Sequence, residues 1–272
     1  MQRALDGADT PRVRRARSIA VALFTTVSLG LLAPGAFTVA VAIPLDVRVP
    51  MGSAVAMAPL ERPASEPREP GPVRHTLVRI SHSMPITVRP GGGRVVGTMP
   101  AGSRFYDQPL SAWVLEVSDD GRYGLVPVPY AGRQVLGWIA LRGLDLETTG
   151  IEVVADLSEH LIQVRRGGDL LFRAQAATGA SVSPTPVGHY FVTDRVAFPE
   201  GGSFGTFAFG ISGIQTHLPP GWTGGDQLAI HGTSAPGTIG TSASAGCLRV
   251  SERVLDRLRP LLRLGTPVTI VP

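Results

Sequence analysis

The chain has 272 residues, a net charge of +4 and a single cysteine. One cysteine excludes an intramolecular disulfide, a thiolate zinc cluster and a Cys-x-x-Cys redox pair. All 25 basic residues are arginine, which also excludes a Schiff-base lysine, a Ser–Lys dyad and a Walker-type phosphate lysine. The chain opens on five arginines, Arg3, Arg12, Arg14, Arg15 and Arg17, against only Asp6 and Asp9. An uncharged apolar run from Ile19 to Ala33 follows, broken at Pro34-Gly35 and resumed from Ala36 to Ile43. Ala40-Val41-Ala42 has the small residues of an A-x-A cleavage site. About 20 apolar residues also suffice to span a bilayer, so residues 1–43 read either as a cleaved signal peptide or as an uncleaved signal-anchor. No cysteine lies near the processing region, which sets a lipoprotein aside. In either case the remainder is expected outside the cytoplasm, in the cell wall or on the outer face of the cytoplasmic membrane. Past residue 42 the arginines and acids nearly balance, 20 against 19, so no nucleic-acid partner is expected.

Residues 44–75 are rich in proline, alanine, glutamate and arginine, too poor in apolar surface to fold, and read as an extended linker. From 76 to 148 short alternating runs appear, among them Thr76–Ile80, Trp113–Val117, Tyr123–Val128 and Val135–Ala140. Turn clusters separate them, and Ser118-Asp119-Asp120-Gly121 predicts a hairpin. The element order, with Gly137-Trp138-Ile139 near its end, resembles a bacterial SH3-like barrel with Trp138 in its core. From 149 to 272 the pattern is again mainly β. Arg166-Gly167-Gly168-Asp169 predicts a tight turn, and Pro267–Val271 reads as a final buried strand. One short helix is predicted after Ser251 as N-cap, with Val254, Leu255, Leu258 and Leu262 on one face and Pro260 ending it.

The cysteine stands in Ser244-Ala245-Gly246-Cys247-Leu248-Arg249, after small residues that let a substrate backbone approach. Sixteen residues earlier, Ile230-His231-Gly232-Thr233 brings a histidine out of an apolar strand. A thiol with an imidazole is the minimum for acyl transfer by cysteine, the imidazole taking the proton. Backbone N–H groups of Gly246 and Cys247 supply a candidate oxyanion hole. No acidic orienter for the imidazole is evident, which leaves a backbone carbonyl for that task. His75, His82 and His160 show no metal-ligand spacing, so no metal or cofactor is implied. His217, in Gln215-Thr216-His217-Leu218, is either a cleft residue or a loop histidine without function.

The spacing from His231 to Cys247, followed by Leu248-Arg249, resembles the L,D-transpeptidase family with its YkuD-type catalytic domain. Supporting matches are Val154–Ser158, Ser183–Gly188, Tyr190–Asp194 and Phe204–Ala208. The resemblance implies a β-sandwich catalytic domain with one short C-terminal helix, acting on peptidoglycan stem peptides. It implies that Cys247 attacks a donor tetrapeptide and expels D-alanine. The amine of an acceptor diaminopimelate then resolves the thioester into a 3→3 cross-link, or water resolves it, as in an L,D-carboxypeptidase. A wall-binding scaffold with a spent catalytic domain is the reading from a different class. The resemblance further implies His231 as general base, the Gly232 carbonyl as holder of its tautomer, and Arg249 as fixing either the loop or a substrate carboxylate; Gly246, Ser244 and His217 are the further oxyanion or substrate-binding candidates. It makes carbapenem-type β-lactams candidate inhibitors. One departure is Ala245, where the family usually carries histidine.

Overall fold

The computed structural model describes residues 71–198 and 202–272. The export segment and the Pro-rich stretch up to residue 70 lie outside the described residues. The described chain is mainly β, as expected, with one α-helix among the described residues. None of its helices is long and apolar enough to cross a membrane.

Residues 75–149 form a first lobe of two small sheets. Strand His75–Arg79 lies between Ser111–Val114 and Asp145–Thr149 in the three-stranded one. The five-stranded one includes the predicted hairpin, with Glu116–Val117 pairing against Tyr123–Pro127. Ser118 closes it: its hydroxyl donates to Asp120 at 2.6 Å and accepts from the Tyr123 N–H at 3.0 Å. Gly121 takes a φ of 71° there, which glycine adopts without a Cβ penalty. Trp138 departs from expectation. It is only half-buried, and its neighbour Ile139 fills the core at 1% exposure, because alternation puts the two on opposite faces.

The second lobe is built on an eight-stranded sheet running from Ile151 to Val271. The last strand, Pro267–Val271, inserts between Ile151–Asp156, to which it is parallel, and Gly188–Ala197, to which it is antiparallel. Val268 and Ile270 of this strand are buried in the core, while Thr269 and Val271 are half-buried on the other face. The turn at Gly167-Gly168 has positive φ at both residues, 65° and 97°, the requirement of a two-residue hairpin loop of the primed kind. The helix spans Glu252–Leu258; the Ser251 hydroxyl accepts from the Val254 N–H, and Leu255 and Leu258 are fully buried. It stops ahead of Pro260, so Leu262 packs into the core from beyond the helix.

The two lobes share packing. Phe191, on strand Gly188–Ala197, is fully buried within the first lobe's apolar cluster. The Tyr130 N–H donates to the Ser212 carbonyl at 2.7 Å, and Arg263 reaches both Glu147 and the Thr148 carbonyl.

Candidate active site

Gln227–His231 is the seventh strand of the large sheet and Leu248–Arg249 the eighth. They run parallel, Ile230 level with Leu248 and His231 level with Arg249. Successive side chains point to opposite faces of a strand. Ile230 and Leu248 point into the core and are at most 1% exposed. The other face therefore carries Ala229, His231 and Arg249, with Cys247 following on from Arg249. The thiol and the imidazole thus stand diagonally across adjoining strands, and both line one cleft of about 540 Å³.

His231 is 4% exposed. Phe204 lies edge-on against its ring at a centroid distance of 5.0 Å. The segment carrying Phe204 is held by Glu252, whose carboxylate accepts from the Thr206 N–H at 3.2 Å and from the Thr206 hydroxyl. His231 Nδ1 lies 2.5 Å from the Gly232 carbonyl. A carbonyl only accepts, so Nδ1 carries the hydrogen and Nε2 is left as the basic nitrogen. Burial pulls the imidazole down to about 4, and the Arg249 charge adds to that, while the Gly232 carbonyl opposes it.

Burial likewise pushes the Cys247 thiol up to about 11, against the Ala229 N–H and the Arg249 charge, which favour thiolate. Both shifts favour the neutral forms, thiol and imidazole, over a thiolate–imidazolium pair. The thiol donates to the Gln227 carbonyl at 3.8 Å.

The turn before Cys247 is closed from within. The Ser244 hydroxyl accepts from the Gly246 N–H at 3.0 Å and donates to the Cys247 carbonyl at 2.6 Å. The Gly246 N–H is thereby engaged inside the turn, and of the two expected oxyanion donors only the Cys247 N–H remains. Gly246 has a φ of 115°, and a Cβ there would sit 2.4 Å from Gln215 Nε2. Only glycine fits both demands. Arg249 borders the cleft and donates through Nη2 to the Ala243 carbonyl at 2.6 Å, bracing the same segment. His217 is placed differently from the cleft reading: it is exposed, outside the lining, and its Nδ1 lies 3.1 Å from the Thr216 hydroxyl.

Sequence reasoning missed the aromatic part of the lining. Phe105 and Tyr106 reach the cleft from the first lobe, and Trp222 reaches it from the segment before Gln227. Their only signal in the sequence was aromatic residues among turn residues, which has no period to reveal a common surface.

Residues 150–270 match the family model described as the YkuD L,D-transpeptidase catalytic domain. Two proteins carrying the name L,D-transpeptidase YkuD are similar to this chain. That of Bacillus licheniformis is 27% identical over 46% of this chain and 68% of its own length. That of Bacillus subtilis is 32% identical over 35% of this chain and 49% of its own length. Among solved structures, an L,D-transpeptidase in complex with imipenem is 18% identical, with 69% of this chain and 100% of that one covered and a TM-score of 0.39. The similarity to L,D-transpeptidase catalytic domains of the YkuD type thus lies over residues 150–270.

Proposed function

We propose that this domain is a peptidoglycan L,D-transpeptidase working through a cysteine thioester. The observation that carries the reading is one pair of residues. A thiol and a neutral imidazole face one cleft from adjoining strands, with Nδ1 bound to a backbone carbonyl and Nε2 left to accept. Nε2 of His231 takes the Cys247 proton as sulfur attacks the L-centre carbonyl of diaminopimelate in a donor tetrapeptide. The Cys247 N–H donates to the developing oxyanion. The C–N bond to the terminal residue breaks, the imidazolium returns the proton to that nitrogen, and D-alanine leaves. The side-chain amine of a second diaminopimelate then attacks the thioester, giving a 3→3 cross-link and restoring the thiol. Arg249 stands where a substrate carboxylate would offset its charge. A strained β-lactam carbonyl is open to the same attack, so carbapenems are expected to acylate Cys247.

The test is mass spectrometry of muropeptides incubated with the protein. D-alanine together with 3→3 dimers supports the transpeptidase, whereas D-alanine with tripeptides alone makes water the acceptor. No product, with no carbapenem adduct on Cys247, leaves the scaffold reading in place. The extracytoplasmic location, the linker at 44–75 and the SH3-like character of 76–148 belong to the same proposal. They rest on the apolar run Ile19–Ile43, on composition and on an all-β first lobe. The mass of the mature protein, with cell fractionation, tests the export reading.

A further inference from the structure

We propose that the first lobe is part of the active site, its loop Ser103–Gln108 forming an aromatic wall that recognises the sugar of a glycan-linked donor. The inference rests on the transpeptidase reading and adds to it the substrate's second half.

The loop is mounted at several points. Within it, the Ser103 N–H donates to the Gln108 carbonyl at 2.9 Å, the Asp107 N–H to the Ser103 carbonyl at 3.1 Å, and the Gln108 N–H to the Ser103 hydroxyl at 3.1 Å. At its base the Ser103 hydroxyl donates to Asp194, a fully buried carboxylate of the second lobe that also accepts from Thr193 and Gln227 at 2.8 Å each. The Gln108 side-chain amide bonds the Arg195 backbone in both directions, each at 3.1 Å. On its flank, Arg104 Nη1 lies 3.1 Å from both oxygens of Asp226.

A loop so held carries Phe105 and Tyr106 at its tip, and 48% and 49% of their surfaces are open, with the Arg104 guanidinium over the Phe105 ring at 4.9 Å from its centroid. Phe105 reaches Gly225, whose Cβ position lies 4.0 Å from the edge of the ring. Next to it Trp222, 44% exposed, is fixed by its own Nε1–H to the Gly225 carbonyl at 3.1 Å and lies against Gly224, where a Cβ would come within 2.7 Å of the indole. Three half-open rings from two lobes therefore border the cleft that holds Cys247 and His231. Uncovered aromatic surface held this firmly marks a binding surface.

The chemistry of the lining selects the occupant. Arg249 is the one permanently charged side chain among the described residues of the cleft. It suits a carboxylate of the stem peptide, whose alanine, glutamate and diaminopimelate side chains offer no flat apolar face to three rings. Pyranose rings do, presenting planes of C–H groups to aromatic faces and hydroxyls to serine and threonine. In peptidoglycan they are attached to the amino end of the same stem.

The experiment is calorimetric binding to Cys247→Ala protein, which separates recognition from turnover. The ligands are a disaccharide-tetrapeptide and the same tetrapeptide without sugar. The parent is expected to bind the sugar-bearing ligand at least tenfold more tightly. Phe105→Ala/Tyr106→Ala is expected to remove that preference, with affinity for the bare peptide and the melting temperature unchanged. Equal affinity for both ligands in the parent, equal loss on both in the variant, or no binding of either overturns the proposal. Failure of the transpeptidase reading is seen elsewhere, as absence of D-alanine release by the unsubstituted protein.

Discussion

His231 ends one strand and Cys247 immediately precedes the strand paired with it, the histidine 4% exposed, whereas Phe105, Tyr106 and Trp222 stand on loops and leave 44 to 49% of their surfaces open. The proposed acyl-transfer pair needs a geometry that does not drift and a low dielectric that favours the neutral forms until substrate arrives. Strand register supplies the first, and Phe204 with the core beneath supplies the second. The aromatic border needs the reverse, open rings whose positions are set by hydrogen bonds behind them. Rigidity in the strands comes from the backbone ladder. In the loop it comes from side chains, above all the Ser103–Asp194–Gln227 cluster, and Gln227 is also the residue whose carbonyl meets the thiol.

The sharpest way to break this contrast is at the sulfur. Cys247→Ala is expected to lower D-alanine release by about 10⁴-fold or more with no loss of folding, since truncation leaves only binding and the oxyanion donor. Unchanged turnover would remove the mechanism. His231→Ala should cost about 10² to 10⁴-fold in kcat, the range of a positioned general base. It should leave carbapenem-free Cys247 open to alkylation at alkaline pH.

Titration comes next. The folded imidazole titrates at about 4 against an ordinary 6.5. As pH falls below 6.5 the unfolded chain takes up a proton that the folded chain refuses until about 4. Stability is therefore full above 6.5 and declines across that window, by about 3 kcal/mol in all. Urea denaturation between pH 7 and 4 measures it, and His231→Gln should flatten the decline. Alkylation of Cys247 by iodoacetamide should meanwhile accelerate steadily with pH toward about 11. Saturation near neutrality would show a preformed ion pair instead.

Smaller effects probe the turn. Gly246→Ala places a Cβ 2.4 Å from Gln215 Nε2 at a φ of 115°, and about 1–3 kcal/mol of strain is expected. Ser244→Ala leaves the Gly246 N–H and the Cys247 carbonyl without their shared partner, for about 1–2 kcal/mol. Both are read by thermal melting. Ser244→Thr should restore part of the loss, because it returns the hydroxyl.

Much of this was legible in the residues. Alternation announced the β lobes, the Ser118–Gly121 turn and the Gly167-Gly168 hairpin, because local backbone preference decides turns. The Ser251 cap and Pro260 bounded the helix for the same reason. The spacing of His231 and Cys247 made them a candidate acyl-transfer pair, and the structure brings both to one cleft. What misled was anything that depended on the second partner of a group. The Gly246 N–H, an oxyanion-donor candidate in the sequence, is engaged by Ser244, two residues away, and only the turn's conformation shows that. His217 has the composition of a site residue and the position of an exposed loop. Trp138 looked like core until register gave that place to Ile139.

The sequence by itself determined the mainly β character and singled out Cys247 and His231 as the candidate pair, because period, turn chemistry and residue type are local properties. Only the tertiary structure decided that the two reacting strands run parallel and that Phe204 dries the imidazole. It alone brought Phe105 and Tyr106, more than a hundred residues before Cys247, to the same cleft. The reason is physical: a strand carries no record of the neighbour it will pair with. A buried acid such as Asp194 acquires its role only when Ser103 and Gln227 fold onto it.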